Sequence, residues 1–154
     1  VTVAPYMGED SIKPFLAFKN KWVIILGLTS NVGAQDFQFL KSNKKPLFQS
    51  VIEKCMQYGT PENTMFVIGA TKEKYFESIR EFCPDNFFLV PGVGAQGGDL
   101  EQLSKYGMNK DCGLLVNATR SIIYASNGKD FAEKAREEAI RMQHEMSILL
   151  KNNK

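Results

Sequence analysis

Residues 92–97 read Gly-Val-Gly-Ala-Gln-Gly, so Gly92, Gly94 and Gly97 fit G-x-G-x-x-G, the pattern of a phosphate-cradling turn. Glycines let backbone amides approach a ligand closely. Arg120 lies further on, in Asn-Ala-Thr-Arg-Ser at 117–121. Its guanidinium can grip a phosphate dianion with two parallel hydrogen bonds. An isolated arginine would more simply be a surface ion-pair partner. Lying one loop beyond a glycine turn, it reads instead as the second half of a phosphate site.

The dinucleotide reading of that turn makes a prediction that fails. It requires an acidic residue about 20 positions on, at the end of the next strand, to hold a ribose hydroxyl. The residue 20 beyond Gly97 is Asn117, and the nearest acids, Asp111 and Asp130, flank that strand without ending it. The fingerprint also belongs after a first strand, whereas this turn follows the second-last. A second phosphate logic fits: barrel enzymes hold substrate phosphates with the loops after strands seven and eight.

The elements that would position these loops alternate. Val1 to Ala4, Trp22 to Leu28, Thr64 to Ala70, Phe87 to Val90 and Gly113 to Asn117 are short apolar runs of the kind buried in a parallel sheet. A short helix capped by Glu9, Asp10 and Ser11 follows the first run. Residues 34–58 read as two helical pieces broken at 42–46. Helices are expected over 72–82, 100–105 and 131–151. In the last, Ala135, Ala139, Met142, Met146 and Leu149 recur at helical spacing and form a packing stripe.

Five strands alternating with helices imply right-handed βαβ units and a parallel sheet. Two α/β architectures compete: an open doubly wound sheet, and part of a (β/α)8 TIM barrel. A whole barrel takes roughly 200 residues or more, and the sequence has 154. The barrel reading therefore makes residues 1–154 a single C-terminal portion, strands 4–8 with their helices. The chain also has no initiator Met and opens on Val-Thr-Val-Ala-Pro, a strand in mid-core, so it is expected to be a piece of something longer.

Composition narrows the function classes. A formal net charge of +2 with dispersed lysines gives no nucleic-acid footprint. Cys55, Cys83 and Cys112 are single, odd in number and form no Cys-x-x-Cys pair, which argues against zinc or a disulfide framework and for a reducing, cytoplasmic setting. No apolar run approaches the ~18 residues of a membrane helix, and no signal peptide precedes the fold.

Together, Thr-Val-Ala-Pro-Tyr-Met-Gly-Glu-Asp at 2–10, Leu-Thr-Ser-Asn at 28–31, the glycine stretch and Asn-Ala-Thr-Arg-Ser strongly resemble the orotidine 5′-phosphate decarboxylase family, in the bacterial branch with a longer fifth helical unit. The resemblance covers essentially the whole chain, with the motifs in family order. It implies a (β/α)8 barrel that forms homodimers and converts orotidine 5′-phosphate to UMP and CO2 in pyrimidine biosynthesis, with neither metal nor organic cofactor. It implies that Ser30 bonds the pyrimidine edge and that Gln96 spans from pyrimidine to phosphate as its loop closes. Pro91 and Gly92 would shape that loop, and Arg120 with the amides of Thr119 and Arg120 would hold the phosphate. Some branches carry Gly at the Thr119 position, so a role requiring positive φ there is in doubt.

One family feature is absent. The catalytic Asp-x-Lys-x-x-Asp motif does not occur in these 154 residues, so the resemblance assigns no catalytic residue to this chain. The chain carries phosphate and partial pyrimidine contacts and would be inactive alone. A different phosphate-binding barrel acting on sugar phosphates, or a non-catalytic half-barrel that binds nucleotides, are the competing readings. Taken singly, Ser30 could be a helix N-cap and Gln96 a loop amide. His144 is expected to have a structural or surface role, Cys112 to sit at the barrel's stability face, and Tyr6 and Asp10 to lie on the active-site side.

Overall fold

The computed structural model describes residues 1–94 and 97–153. Its main sheet contains β1 (Thr2–Val3), β2 (Val23–Leu28), β5 (Thr64–Ile68), β6 (Phe88–Pro91) and β7 (Leu114–Asn117). All four pairings are parallel, and the strands lie side by side in chain order. A doubly wound sheet reverses its strand order at a switch point. This sheet never reverses within the described residues, as in an arc of a barrel.

The helices are α1 (Glu9–Leu16), α2 (Ala34–Phe37), α3 (Leu47–Cys55), α4 (Phe76–Phe82), α5 (Leu100–Gly107), α6 (Arg120–Ile123) and α7 (Phe131–Asn152). Across the sheet, Ile25, Phe66, Phe88 and Leu114 are register neighbours, so they share one face. That face meets Ile12 of α1, Ile52 of α3, Phe76 and Ile79 of α4 and Leu103 of α5 in one core cluster. Phe66, Phe76 and Phe88 are fully buried, and each such side chain contributes roughly 1.5–3 kcal/mol by leaving water.

The other face is also apolar. Leu26, Val67, Leu89 and Leu115 form a second row in register. Val67 is 5% exposed but Leu115 is 50% exposed. Parallel sheets are normally covered on both faces, and in a barrel this row faces the axis.

Several expectations need correction. The break at 42–46 is a β-hairpin, with β3 (Lys41–Ser42) antiparallel to β4 (Lys45–Pro46). Asn43 and Lys44 turn it with φ of 52° and 68°, the left-handed pair that a two-residue hairpin requires. Glu9, Asp10 and Ser11 lie inside α1 and do not cap it; Gly8, at φ 94°, is its N-cap and makes no side-chain bond. The helix expected from 72 begins with a 3-10 segment, Ala70–Tyr75, in which Lys72 departs from helical backbone angles. The four residues of α6 were not foreseen, being too few to show a period. Along α7, Met142, Met146 and Leu149 pack against the core as the stripe predicts.

Candidate functional site

In a parallel sheet every strand ends on the same side, so the loops after β1, β2, β5, β6 and β7 gather at one rim. Pro91 pairs in register with Asn117, so the glycine loop and the Arg120 loop leave the sheet side by side. Residues 91–93 and 117–120 enclose a cleft of about 230 Å³. Three glycines of the loop take positive φ, 96° at Gly92, 77° at Gly94 and 86° at Gly97, a conformation open to glycine without a steric penalty. The Gly94 amide donates to the Gly98 carbonyl at 3.2 Å, and the Gly97 amide to the Gly94 carbonyl at 2.8 Å. Val93, 5% exposed, anchors this folded loop in the core.

Opposite it, Thr119 precedes α6 with φ −120° and ψ −66°. The backbone there takes no positive φ, so the position does not require glycine. The amides of Thr119 and Arg120 donate to no acceptor within the described residues, the usual state of the first N–H groups of a helix. Arg120 is exposed, and no carboxylate among the described residues pairs with it. The surface ion-pair reading of Arg120 is therefore not what the structure shows. Two free amides and a free guanidinium border one cleft, an arrangement suited to an anion with several oxygens.

Ser30 follows β2 on the same rim, three strand spacings from β7, or roughly 14 Å along the sheet at ~4.8 Å per strand. Its N-cap reading fails, because Gly33 precedes α2. Instead Ser30 is packed against Gly69 at the end of β5. A Cβ built on Gly69 would lie 2.6 Å from the Ser30 nitrogen and 2.8 Å from its Cα, so only glycine fits. The Gly69 amide donates to the Leu28 carbonyl at 2.8 Å, and Thr71 Oγ1 donates to the Ser30 carbonyl at 3.4 Å. Gln96 lies outside the described residues.

Two neighbours of the site were not singled out from sequence. Gly69 is one; the glycine closing Thr-Met-Phe-Val-Ile-Gly was its available signal. Ser121 is the other. Its Oγ is buried with no hydrogen-bond partner among the described residues and lies 3.5 Å from where a Gly94 side chain would begin. The remaining candidates fall where expected. Tyr6 is 95% exposed just beyond β1, and Asp10 is exposed in the first turn of α1. His144 is exposed on α7. Cys112 lies ahead of β7 at the opposite rim, in a turn closed by its hydrogen bonds with Asn109. Burial pushes the Cys55 thiol up to about 11 and that of Cys83 to about 12, so neither is a thiolate nucleophile at neutral pH. Among the described residues no His, Cys, Asp and Glu side chains cluster as a metal site would. Among the described residues no helix is long and apolar enough to cross a membrane.

Residues 1–135 match the family model described as "Orotidine 5'-phosphate decarboxylase / HUMPS family". The chain is 58% identical over 150 residues to a Flavobacterium johnsoniae protein named orotidine 5′-phosphate decarboxylase, a match covering 97% of this chain and 55% of that protein. It thus spans about half the length of the curated relatives it matches. Among solved structures, Leishmania donovani UMP synthase superposes with a TM-score of 0.78 at 34% identity, covering 92% of this chain and 32% of that one. The crystal structure of Plasmodium berghei orotidine 5′-monophosphate decarboxylase superposes at 0.77 with 26% identity, covering 98% of this chain and 48% of the other.

Proposed function

Because the chain belongs to the orotidine 5′-phosphate decarboxylase / HUMPS family and has its (β/α)8 barrel architecture, we propose that it is the C-terminal portion, about strands 4–8, of an enzyme that decarboxylates orotidine 5′-phosphate to UMP. The first three βα units would precede residue 1. The cleft between residues 91–93 and 117–120 carries this reading, since its free amides and guanidinium suit the one dianionic group of the nucleotide. Ser30, across the rim, would bond the pyrimidine edge, and Gln96 would join pyrimidine to phosphate.

The chemistry divides accordingly. The bond from the ring to the carboxylate breaks, CO2 leaves, and the electron pair stays on the ring carbon until a proton replaces it. An ammonium near that carbon would both stabilise the carbanion and supply the proton. The Asp-x-Lys-x-x-Asp motif that provides it in the family is not in this sequence, so this chain would bind and orient. Phosphate binding, remote from the reacting carbon, would be used to close and assemble the site. No cofactor is required by that scheme. A homodimer in the cytoplasm is the setting the family likeness supports.

The test is orotidine 5′-phosphate turnover by the full-length protein and its Arg120→Ala variant. We expect UMP formation, with kcat/KM reduced at least ~10-fold in the variant, the loss of one charged hydrogen bond at ~1.5–3 kcal/mol. Absence of turnover in the full-length protein would overturn the proposal.

A further inference from the structure

Gln38 ends α2, a segment inserted between β2 and α3, and it reaches back to the turn that carries Ser30. The Thr29 amide donates to Gln38 Oε1 at 2.9 Å, and Gln38 Nε2 donates to Thr29 Oγ1 at 2.7 Å. The Thr29 hydroxyl in turn donates to Asn31 Oδ1 at 2.6 Å. One carboxamide therefore holds both the backbone and the side chain of the residue before Ser30, and through it the residue after.

The support behind Gln38 is rigid. Its carbonyl accepts the Phe48 amide at 3.0 Å, and two residues on the Leu40 carbonyl accepts the Leu47 amide at 2.8 Å. Phe39, Phe48 and Tyr75 form a mutual triangle of edge-on and tilted rings with centroids 5.5–5.7 Å apart. Phe48 is 4% exposed. On the other flank, Gly69 leaves Ser30 no room to retreat toward β5. The turn is thus held between a backbone wall and a two-pronged amide.

We propose that Gln38 is a positioning residue for the ring end of the nucleotide site: it fixes the turn at residues 29–31 so that Ser30 meets the pyrimidine. This inference rests on the reading of Ser30 given above. It assigns the segment from α2 through α3 a role in ligand recognition that its distance in sequence from the phosphate loop would not suggest. A side chain held by hydrogen-bonded support is what keeps a binding group within the ~0.5 Å that recognition tolerates.

The test uses the full-length protein with Gln38→Met, which keeps the length of the side chain and removes both hydrogen bonds, and Ser30→Ala alongside it. Affinities are measured for UMP and for ribose 5-phosphate, which shares the phosphate and sugar but lacks the ring. Gln38→Met should weaken UMP about tenfold, the size of one to two neutral hydrogen bonds. Ribose 5-phosphate should stay within about twofold, because its site is distant and independent. An unchanged UMP affinity, or an equal loss for both ligands, overturns the proposal. If Ser30→Ala weakens UMP and Gln38→Met does not, the positioning role alone falls. If Ser30→Ala leaves UMP unchanged, the pyrimidine reading falls and takes the Gln38 assignment with it.

Discussion

Among the described residues Arg120 pairs with no carboxylate, and it is exposed beside two amides that donate to no acceptor, so its contribution to binding should depend on charge and reach. Arg120→Lys keeps the charge but loses the two-pronged geometry. We expect it to recover only part of the UMP affinity lost by Arg120→Ala, measured calorimetrically, and its affinity to fall more steeply with salt, as expected of a point charge in solvent. Gly69→Ala acts on the Ser30 turn across the same rim. The added methyl would meet the Ser30 backbone at under 3 Å, so Ser30 must move. UMP affinity should drop with ribose 5-phosphate affinity retained, and unchanged UMP binding would contradict the packing argument. Arg120 and the glycines were legible in the sequence because their residue types are scarce and chemically pointed. Gly69 and Gln38 were not, because a glycine that ends a strand and a glutamine in a helical stretch look ordinary until the fold brings each against the Ser30 turn.

Among the elements, the β3–β4 hairpin shows how local chemistry was overlooked. Residues 41–46 read as a helix break, which they are, but the left-handed angles of Asn43 and Lys44 make the break a turn with its own pairing. Asparagine tolerates that conformation and lysine does so at a cost. Lys44→Gly should therefore stabilise the protein by about 1 kcal/mol, read as a rise in the midpoint of denaturant unfolding at constant slope. A second device joins three elements at the far rim. Arg80 of α4 donates through Nε to the Gly107 carbonyl at 2.7 Å, through Nη1 to Asn86 at 2.7 Å and through Nη2 to Gly113 at 2.9 Å, with the guanidinium 3.6 Å above the Phe88 ring. Burial holds its pKa down at about 10, so it remains charged at neutral pH. Arg80→Met removes a charged donor from all three carbonyls, leaving Gly113 only its bond from the Phe88 amide at 2.8 Å, and should cost roughly 3 kcal/mol, the loss of several charge-assisted hydrogen bonds to part-buried carbonyls. The five strands were readable because a fully buried parallel strand is a continuous apolar run; Arg80's role was not, since nothing in Ser-Ile-Arg-Glu marks an arginine that folds inward.

For the whole molecule, the two faces of the sheet were equally apolar in sequence, and only the register separates them. The row Ile25, Phe66, Phe88 and Leu114 is closed by helices, whereas Leu26, Val67, Leu89 and Leu115 end in a half-exposed leucine. In the barrel architecture that second row is interior, packed in layers with residues of the remaining strands. Leu115→Asp discriminates the two situations. In the full-length protein the carboxylate would enter the barrel interior unpaired, and stability should fall by about 3 kcal/mol or more. In the isolated 154-residue chain the same substitution falls on an open apolar face, where it should cost little and reduce the self-association such a face promotes. Sedimentation of the isolated chain and thermal unfolding of the full-length protein measure the two effects. A variant that leaves the full-length protein's stability unchanged would place Leu115 outside the barrel interior, because an unpaired carboxylate held there has no partner to offset its desolvation.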